Sequence, residues 1–504
     1  MTGGRRQVFN LRVIALAALP LASAHAVDGA SLATGLPSSA SIDQSPQGDE
    51  RPNELRLYTG VTYSDNIDLA PTGQEQSDIV ISVVPGLSIL REGGRASFTL
   101  DYQVLGLLYV NNSDRNDLFN QMRTSGMAEL VPESLFLEAD ASYYQRSTAS
   151  DSSLGQDLVS RPGEFSNVLT YRLSPYARSR FGNYASTDLR YDYWNINYQG
   201  DSGIDSENHR IGLRINSGDA FRRFGWSLRY DRAQVDYNDG TATEFQSYWG
   251  RLRANISEQL SLYVEAGRDN DSSDDTNQSS RGSGNRWQLG VLWTPTNRTS
   301  MEGFYADRYF GSYFGARLRQ RFRSSTWAFD YEEEPSTAAL ITPDVTVASA
   351  FGAGEGAVVE ESGDPVVFDE DFPNNTSQSF LRRRATLAVQ GQRARVGWGA
   401  RVFFEQRDYE SSQQDETRTG GGLNLSYRVA PRTQALGNLN WLRTEGQSEV
   451  STENSQLARL GLQHELGPNT ALSAFYRYVQ SDGSEGGTDS YRENRLTLVL
   501  TRIF

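Results

Sequence analysis

The stretch RASFTLDYQVLGLLYV, Arg95 to Val110, decides the fold. Ala96, Phe98, Leu100, Tyr102 and Val104 fall on one face, and Arg95, Ser97, Thr99, Asp101 and Gln103 on the other. A period of two, apolar against polar, is the signature of a strand with two different surroundings. The pattern returns along the chain. Leu135, Leu137, Ala139, Ala141 and Tyr143 oppose Glu138, Asp140, Ser142 and Arg146. Leu189, Tyr191 and Tyr193 oppose Asp188, Arg190 and Asp192. Ala394, Val396, Trp398, Ala400, Val402 and Phe404 oppose Arg395, Arg401 and Glu405.

The connections alternate in length. Arg91-Glu92-Gly93-Gly94, Pro132-Glu133-Ser134, Ser257-Glu258-Gln259, Thr296-Asn297-Arg298 and Gly467-Pro468-Asn469 are tight, whereas those around 65–77, 111–116, 148–163, 271–284 and 481–489 are longer and polar. Segments of about ten alternating residues joined in this way predict an all-β protein, a transmembrane antiparallel up-and-down β-barrel. The count is about 22 strands within a range of 18–24, starting near 54, 78, 95, 117, 135, 166, 184, 206, 222, 243, 260, 285, 299, 312, 326, 378, 394, 418, 433, 454, 470 and 490. An even count puts both termini on the periplasmic side of a Gram-negative outer membrane. A β-helix would show a fixed repeat length, which these unequal connections lack.

Composition supports a wall one residue thick. Aromatics make up 11% of a chain in which AVILMFWYC residues reach only 37%. No stretch approaches the ~20 apolar residues of a transmembrane helix. Arg5, Arg6 and Arg12 precede the run Val13 to Leu19, and Ala24-His25-Ala26 offers a small-x-small cleavage site, so residues 1–26 read as a signal peptide. Residues 27–53 are rich in Ser, Gly, Pro and Asp without periodicity and read as a disordered periplasmic lead. Residues 54–504 form the barrel. Cleavage after Ala26 removes three arginines and no acid, taking the formal charge from −15 to −18. That balance argues against nucleic-acid binding. With no cysteine, disulfide and thiolate chemistry are excluded.

The N-terminal quarter resembles one family, the PEP-CTERM system-associated outer-membrane β-barrel proteins found near exopolysaccharide and exosortase loci. The matching text is VTYSDNIDLAP from Val61, SDIVISVVPGLSI with Pro85-Gly86, EGGRASFTLDYQ, NNSDRND and AELVPESLFLEADASYYQ. The resemblance implies location and genetic setting and carries no agreed biochemical activity. The last segment, LTLVLTRIF from Leu496, resembles the C-terminal strand signal read by the barrel assembly machinery, with Leu498, Leu500 and Phe504 as its apolar positions. Arg502 stands where an aliphatic or aromatic residue is usual. The implied partners are outer-membrane lipid and lipopolysaccharide, the assembly machinery and, as a candidate cargo, exopolysaccharide.

No catalytic set emerges, and no cofactor is called for. In the mature chain His209 and His464 are the only histidines, and neither accompanies a nucleophile motif. His464 belongs to the periplasmic end, while His209 stands at the outer rim near Asp205 and Glu207. Asp269, Asp271, Asp274 and Asp275 lie in an acidic run expected to be an outer loop. Clustered carboxylates could bridge a divalent cation, but the run lacks the glycine and glutamate spacing of an EF-hand, and no specific metal site is assigned. Arg95, Asp101, Glu138, Asp140, Arg146, Asp188, Arg190, Asp192, Arg395, Arg401 and Glu405 are expected to line the lumen as mixed-charge ladders. Paired carboxylates among them leave hydrolysis of a polysaccharide as a minor alternative.

A 22-stranded barrel leaves a wide lumen unless something fills it. TonB-dependent transporters of this size carry a plug domain ahead of the barrel, and 27–53 is too short for one, so that mode of uptake is disfavoured. The connection from about 335 to 377 is the internal candidate for a stopper, because it contains Ala338-Ala339-Leu340-Ile341 and Val358-Val359. It either folds over the lumen or stands as an extracellular excursion. Tyr109, Tyr144 and Trp194 could stack on sugars or belong to the interfacial girdles. In VTYSDNIDLAP the first strand is completed by Val61, Tyr63 and their neighbours, and Asp65-Asn66-Ile67-Asp68 reads as its exit into water. The function expected is a pore or export accessory of an exopolysaccharide-linked surface system, with a non-conducting structural barrel as alternative and a barrel enzyme third.

Overall fold

A computed structural model describes residues 53–147, 157–160, 165–200, 203–274, 279–341, 376–409, 415–446, 452–483 and 490–504. The expected signal peptide and all but the last residue of the lead lie outside them. The strands in the first half are β1 (Asn53–Ser64), β2 (Asp78–Glu92), β3 (Ala96–Tyr109), β4 (Asp117–Val131), β5 (Leu135–Ser147), β6 (Phe165–Phe181), β7 (Ala185–Gln199), β8 (Ser206–Ser217), β9 (Phe224–Tyr237), β10 (Ala242–Asn255) and β11 (Leu260–Asp274). There follow β12 (Ser279–Thr296), β13 (Thr299–Arg308), β14 (Gly311–Arg321), β15 (Ser325–Thr337), β16 (Ser379–Arg393), β17 (Val396–Tyr409), β18 (Glu416–Ala430), β19 (Thr433–Gly446), β20 (Thr452–Gly467), β21 (Thr470–Gly483) and β22 (Tyr491–Ile503).

Each strand pairs antiparallel with the next, and β1 pairs with β22 from Arg56↔Ile503 to Ser64↔Arg495. The 22 strands therefore close into one up-and-down barrel with no free edge. All but one start within two residues of the position read from the sequence.

Side-chain exposure alternates clearly along β2, β11, β21 and β22. On β2, Ile79, Ile81 and Val83 are exposed while Asp78, Val80, Ser82 and Val84 are buried. On β22, Leu496, Leu498 and Leu500 are exposed while Glu493, Arg495, Thr497 and Val499 are buried. The exposed set forms a belt of Leu, Val, Ile, Phe, Tyr and Trp around the barrel. A belt of that extent is tolerable only against lipid, so the chain is an outer-membrane β-barrel. The opposite set faces the lumen.

The two rims differ. One joins strands by turns as short as Ala394-Arg395, where Ala394 takes φ +55°. A two-residue hairpin needs left-handed backbone, which is why the alternation read through Ala394 and Arg395 is interrupted there. Arg395 is thus a turn residue, and Arg95 likewise precedes β3; both are exposed at this rim instead of lining the ladder. The other rim carries the longer connections 65–77, 148–164 and 338–378.

Candidate functional site

The lumen changes character from one rim to the other. Toward the short turns its wall is a mixed-charge ladder, produced by register. Cross-strand partners share a face, so Asp140 meets Arg172 on β6 and Asp188 meets Arg178. Arg172 Nη2 lies 2.9 Å from Asp140 and Arg178 Nε 3.0 Å from Asp188. Arg190 bridges Glu138 at 2.6 Å and Asp192 at 2.8 Å, and Arg56 reaches Asp101 at 3.0 Å. Water reaches this half: the Asp101 side chain is 52% exposed and that of Arg178 60%. Arg401 faces the lumen from β17, half-buried opposite Ala388 and Gly422. Arg146 lies on β5 opposite Ser166, and its side chain is outside the described residues.

Toward the long loops the same inward face is packed. Glu405 is buried, accepting from Arg407 Nε at 2.6 Å, Arg384 Nη1 at 2.8 Å and Arg382 Nε at 2.9 Å. Asp269, also buried, takes Arg308 at 2.6 Å and Arg286 at 3.4 Å. This corrects the reading of the acidic run as an outer loop. Asp269 and Asp271 lie within β11 and face inward, Asp274 ends that strand, and β12 begins at Ser279 instead of near 285. The arginines occupy the Asp269 oxygens that a cation would need, and Asp275 is outside the described residues. Where strands extend beyond lipid, their outward positions need not be apolar. Asn270, Ser272 and Asp274 therefore hide the hairpin from a periodicity argument.

Among the described residues, three connections enter this packed half. In the one between β5 and β6, Asp157 accepts from Arg495 Nη1 at 2.6 Å and Arg477 Nη1 at 2.9 Å. Ser160 Oγ donates to Glu493 at 2.8 Å, and Glu493 pairs with both arginines at 3.0 and 3.2 Å. Burial alone would raise the Asp157 carboxyl. The Arg495 and Arg477 charges, with hydrogen bonds from Arg495 and the Ser160 amide, outweigh it and hold the group well below the usual carboxylate range. Beside it Leu158 and Val159 pack on inward Val80, Val84, Leu105, Leu107, Tyr109, Phe119 and Val499. Tyr109 donates to the Val159 carbonyl at 2.8 Å.

The connection between β1 and β2 also turns inward, which corrects its reading as an exit into water. Ile67 is fully buried in the same cluster, and Leu69 packs on Leu457, Val479 and Tyr491. Asn66 donates to the carbonyls of Ala70 at 2.8 Å and Arg492 at 3.0 Å, while Asp65 accepts from the Asn494 amide and side chain, each at 2.7 Å. The acidic-looking segment is a staple across the seam between first and last strands.

The third entry is the start of the long connection, now bounded by Thr337 and Ser379. Ala339 is buried against Val235 and Tyr237 of β9, with Ile196 and Ile204 alongside, and Trp194 Nε1 donates to its carbonyl at 3.4 Å. At the far end Ser377 Oγ donates to Asp239 at 2.5 Å. Burial opposes ionisation of Asp239, but this bond and the Thr241 amide keep its pKa below the ordinary value. Both ends are thus anchored to the β7–β10 corner, far around the wall from β15. The Val358-Val359 pair of this connection lies outside the described residues.

Tyr109, Tyr144 and Trp194 all face inward and are buried, so they are not girdle residues. His209 and His464 face outward, bonded to Tyr191 at 2.7 Å and Thr433 at 2.9 Å, away from the lumen. Leu498, Leu500 and Phe504 are exposed on the lipid side. Arg502, also outward, donates to Thr470 at 2.6 Å and lies 5.8 Å from the Phe504 ring.

No protein-family model matches the chain, and no curated protein matches it. Among solved structures it is similar to the siderophore receptor PirA from Acinetobacter baumannii, with a TM-score of 0.49 and 7% identity over 90% of this chain and 81% of that one. The siderophore receptor PirA from Pseudomonas aeruginosa gives 0.43 and 9% over 90% and 81%. The FrpB iron transporter from Neisseria meningitidis gives 0.42 and 8% over 91% and 82%. At such identities the likeness concerns the barrel alone.

Proposed function

We propose that the barrel is a gated conduit, an export pore or export accessory of an exopolysaccharide-linked surface system. The observation that carries this reading is the gradient along the lumen wall. A hydrated ladder suited to a polar cargo occupies the short-turn half, and inward-folded loop residues pack on the wall of the other half. In this reading the short-turn rim and both termini face the periplasm, and the closed rim faces outward. The resemblance of residues 61–145 to the PEP-CTERM-associated barrels supports the polysaccharide setting. Mixed charges with wetted lumenal side chains suit hydroxyl-rich polymers, which need exchangeable hydrogen bonds more than a deep apolar pocket.

A non-conducting structural barrel is the second reading, favoured by the depth at which Asp157, Glu493 and Arg495 are buried. Conductance of the refolded barrel in planar bilayers separates the two. The conduit reading expects a nearly silent wild type that conducts in large steps once the Asp157 contacts are removed. Silence in both would favour the structural barrel.

A further inference from the structure

We infer that the lumen wall carries an oxyanion-binding site built by a cross-strand row of arginines around Trp249. Register creates the row. Arg214 on β8 is paired with Arg229 on β9, Arg229 with Trp249 on β10, Trp249 with Gly267 on β11, and Gly267 with Arg286 on β12. These positions share the inward face. The Arg229, Arg286 and Arg251 guanidinium carbons lie 4.9, 5.5 and 5.6 Å from the indole centroid. Gly267 lets β10 approach closely beneath Trp249, since an added Cβ would stand 2.4 Å from Trp249 Cβ and 2.2 Å from the Tyr248 carbonyl oxygen. Cation–π contacts of this kind hold guanidinium groups in place without neutralising them.

The row is short of negative charge. Glu265 accepts from Arg251 at 2.5 Å, and Asp269 is held by Arg286 and Arg308. Asp188, the register partner of Arg214 on its other side, is taken by Arg178. Asp231 stands 3.8 Å from Arg229. Arg214 has no carboxylate partner among the described residues, and its Nε is buried without a hydrogen bond. Like charges directly opposite each other on neighbouring strands are destabilising, and a buried unsatisfied donor adds to the cost. A carboxylate, sulfate or phosphate oxygen at Arg214 and Arg229 would relieve both, and guanidinium forks suit such groups. Two sources share this chemistry: an acidic sugar unit of a passing polymer, or a free inorganic anion. The first source rests on the conduit reading; the site itself does not.

Calorimetric titration of the folded, full-length barrel in detergent tests the site. The probes are trigalacturonate, sodium sulfate and neutral maltotriose, with folding checked by heat-dependent electrophoretic migration. The expected result is binding of at least one anionic probe, no binding of maltotriose, and affinity weakened about 10-fold or more in Arg214→Gln. Arg214→Lys should retain part of it. Tighter binding of trigalacturonate than of sulfate assigns the oxyanion to a sugar; equal or tighter sulfate assigns it to a free ion. A second readout distinguishes a merely structural arginine: in anion-free buffer Arg214→Gln should be as thermally stable as wild type or more so. Absence of anion binding, equal binding of maltotriose, or unchanged affinity in Arg214→Gln overturns the inference. A barrel that binds anions yet never conducts contradicts the conduit reading and leaves the site standing.

Discussion

Asp157 Oδ2 lies 2.6 Å from Arg495 Nη1, joining the connection after β5 to the last strand of the barrel. With Arg477 and Glu493 the contact forms a buried four-residue network, in which two cations balance two carboxylates. Replacing Asp157 by Ala leaves two guanidinium groups sharing Glu493. Removing one member of a buried pair costs on the order of 3 kcal/mol. The expected outcome is a barrel that still folds, because its ladder of strand pairs is untouched, but conducts in planar bilayers. Unchanged silence would show that the network does not hold the lumen shut.

The pH dependence of that closure follows from the Asp157 carboxyl. Its pKa in the folded state is depressed below the unfolded value of about 3.9. The stabilisation is therefore present above that value and is lost as pH falls through the depressed one. Conductance of the wild type should stay low and flat from about pH 8 to about pH 4.5, with any release confined to stronger acid. An opening transition near pH 6 would assign closure to other groups.

Ala339 is buried beside Val235 and beneath Trp194. A carboxylate there, in Ala339→Asp, would be desolvated without a cationic partner and should expel the start of the long connection from the lumen. Limited proteolysis is the direct check: cleavage around 338–341 should accelerate at least several-fold, while wild type is protected. Equal protection in the two would mean that Ala339 anchors nothing.

The lipid-facing belt makes a different prediction. Leu460, 64% exposed near the middle of β20, should meet hydrocarbon. Leu460→Arg should destabilise the refolded barrel by about 2–4 kcal/mol in equilibrium denaturant titrations in lipid vesicles. A change within a few tenths of a kcal/mol would place this position outside the bilayer.

Much of the architecture was legible in the sequence, because a membrane barrel writes its two environments alternately along each strand. The start of β5 and the inward charges Asp101, Glu138 and Glu405 follow from period two alone. The packed half was not legible for the same reason. Leu105, Leu107 and Tyr109 put apolar side chains on the inward face of β3, where alternation expects polar ones. In hindsight such a run signals that something covers it, but its cover, Leu158 and Val159, is distant in sequence and has no period. Glu493 and Arg495 advertise charge on one face of β22, yet nothing local names Asp157 as their partner. The Arg214–Arg229–Trp249 row requires the register of adjacent strands, which turn lengths fix only after the hairpin boundaries are known.

Thiol labelling tests the central claim most directly, since the chain contains no cysteine of its own. Ser82 and Ser88 share the inward face of β2; Ser82 is 2% exposed beneath the loop cluster, whereas Ser88 lies in the wetter half. With a membrane-impermeant maleimide, Ser88→Cys should label rapidly and Ser82→Cys should resist, until Asp157→Ala is added and Ser82→Cys labels too. Rapid labelling of Ser82→Cys in the otherwise native barrel, or its continued protection after Asp157→Ala, would contradict a lumen closed by that loop.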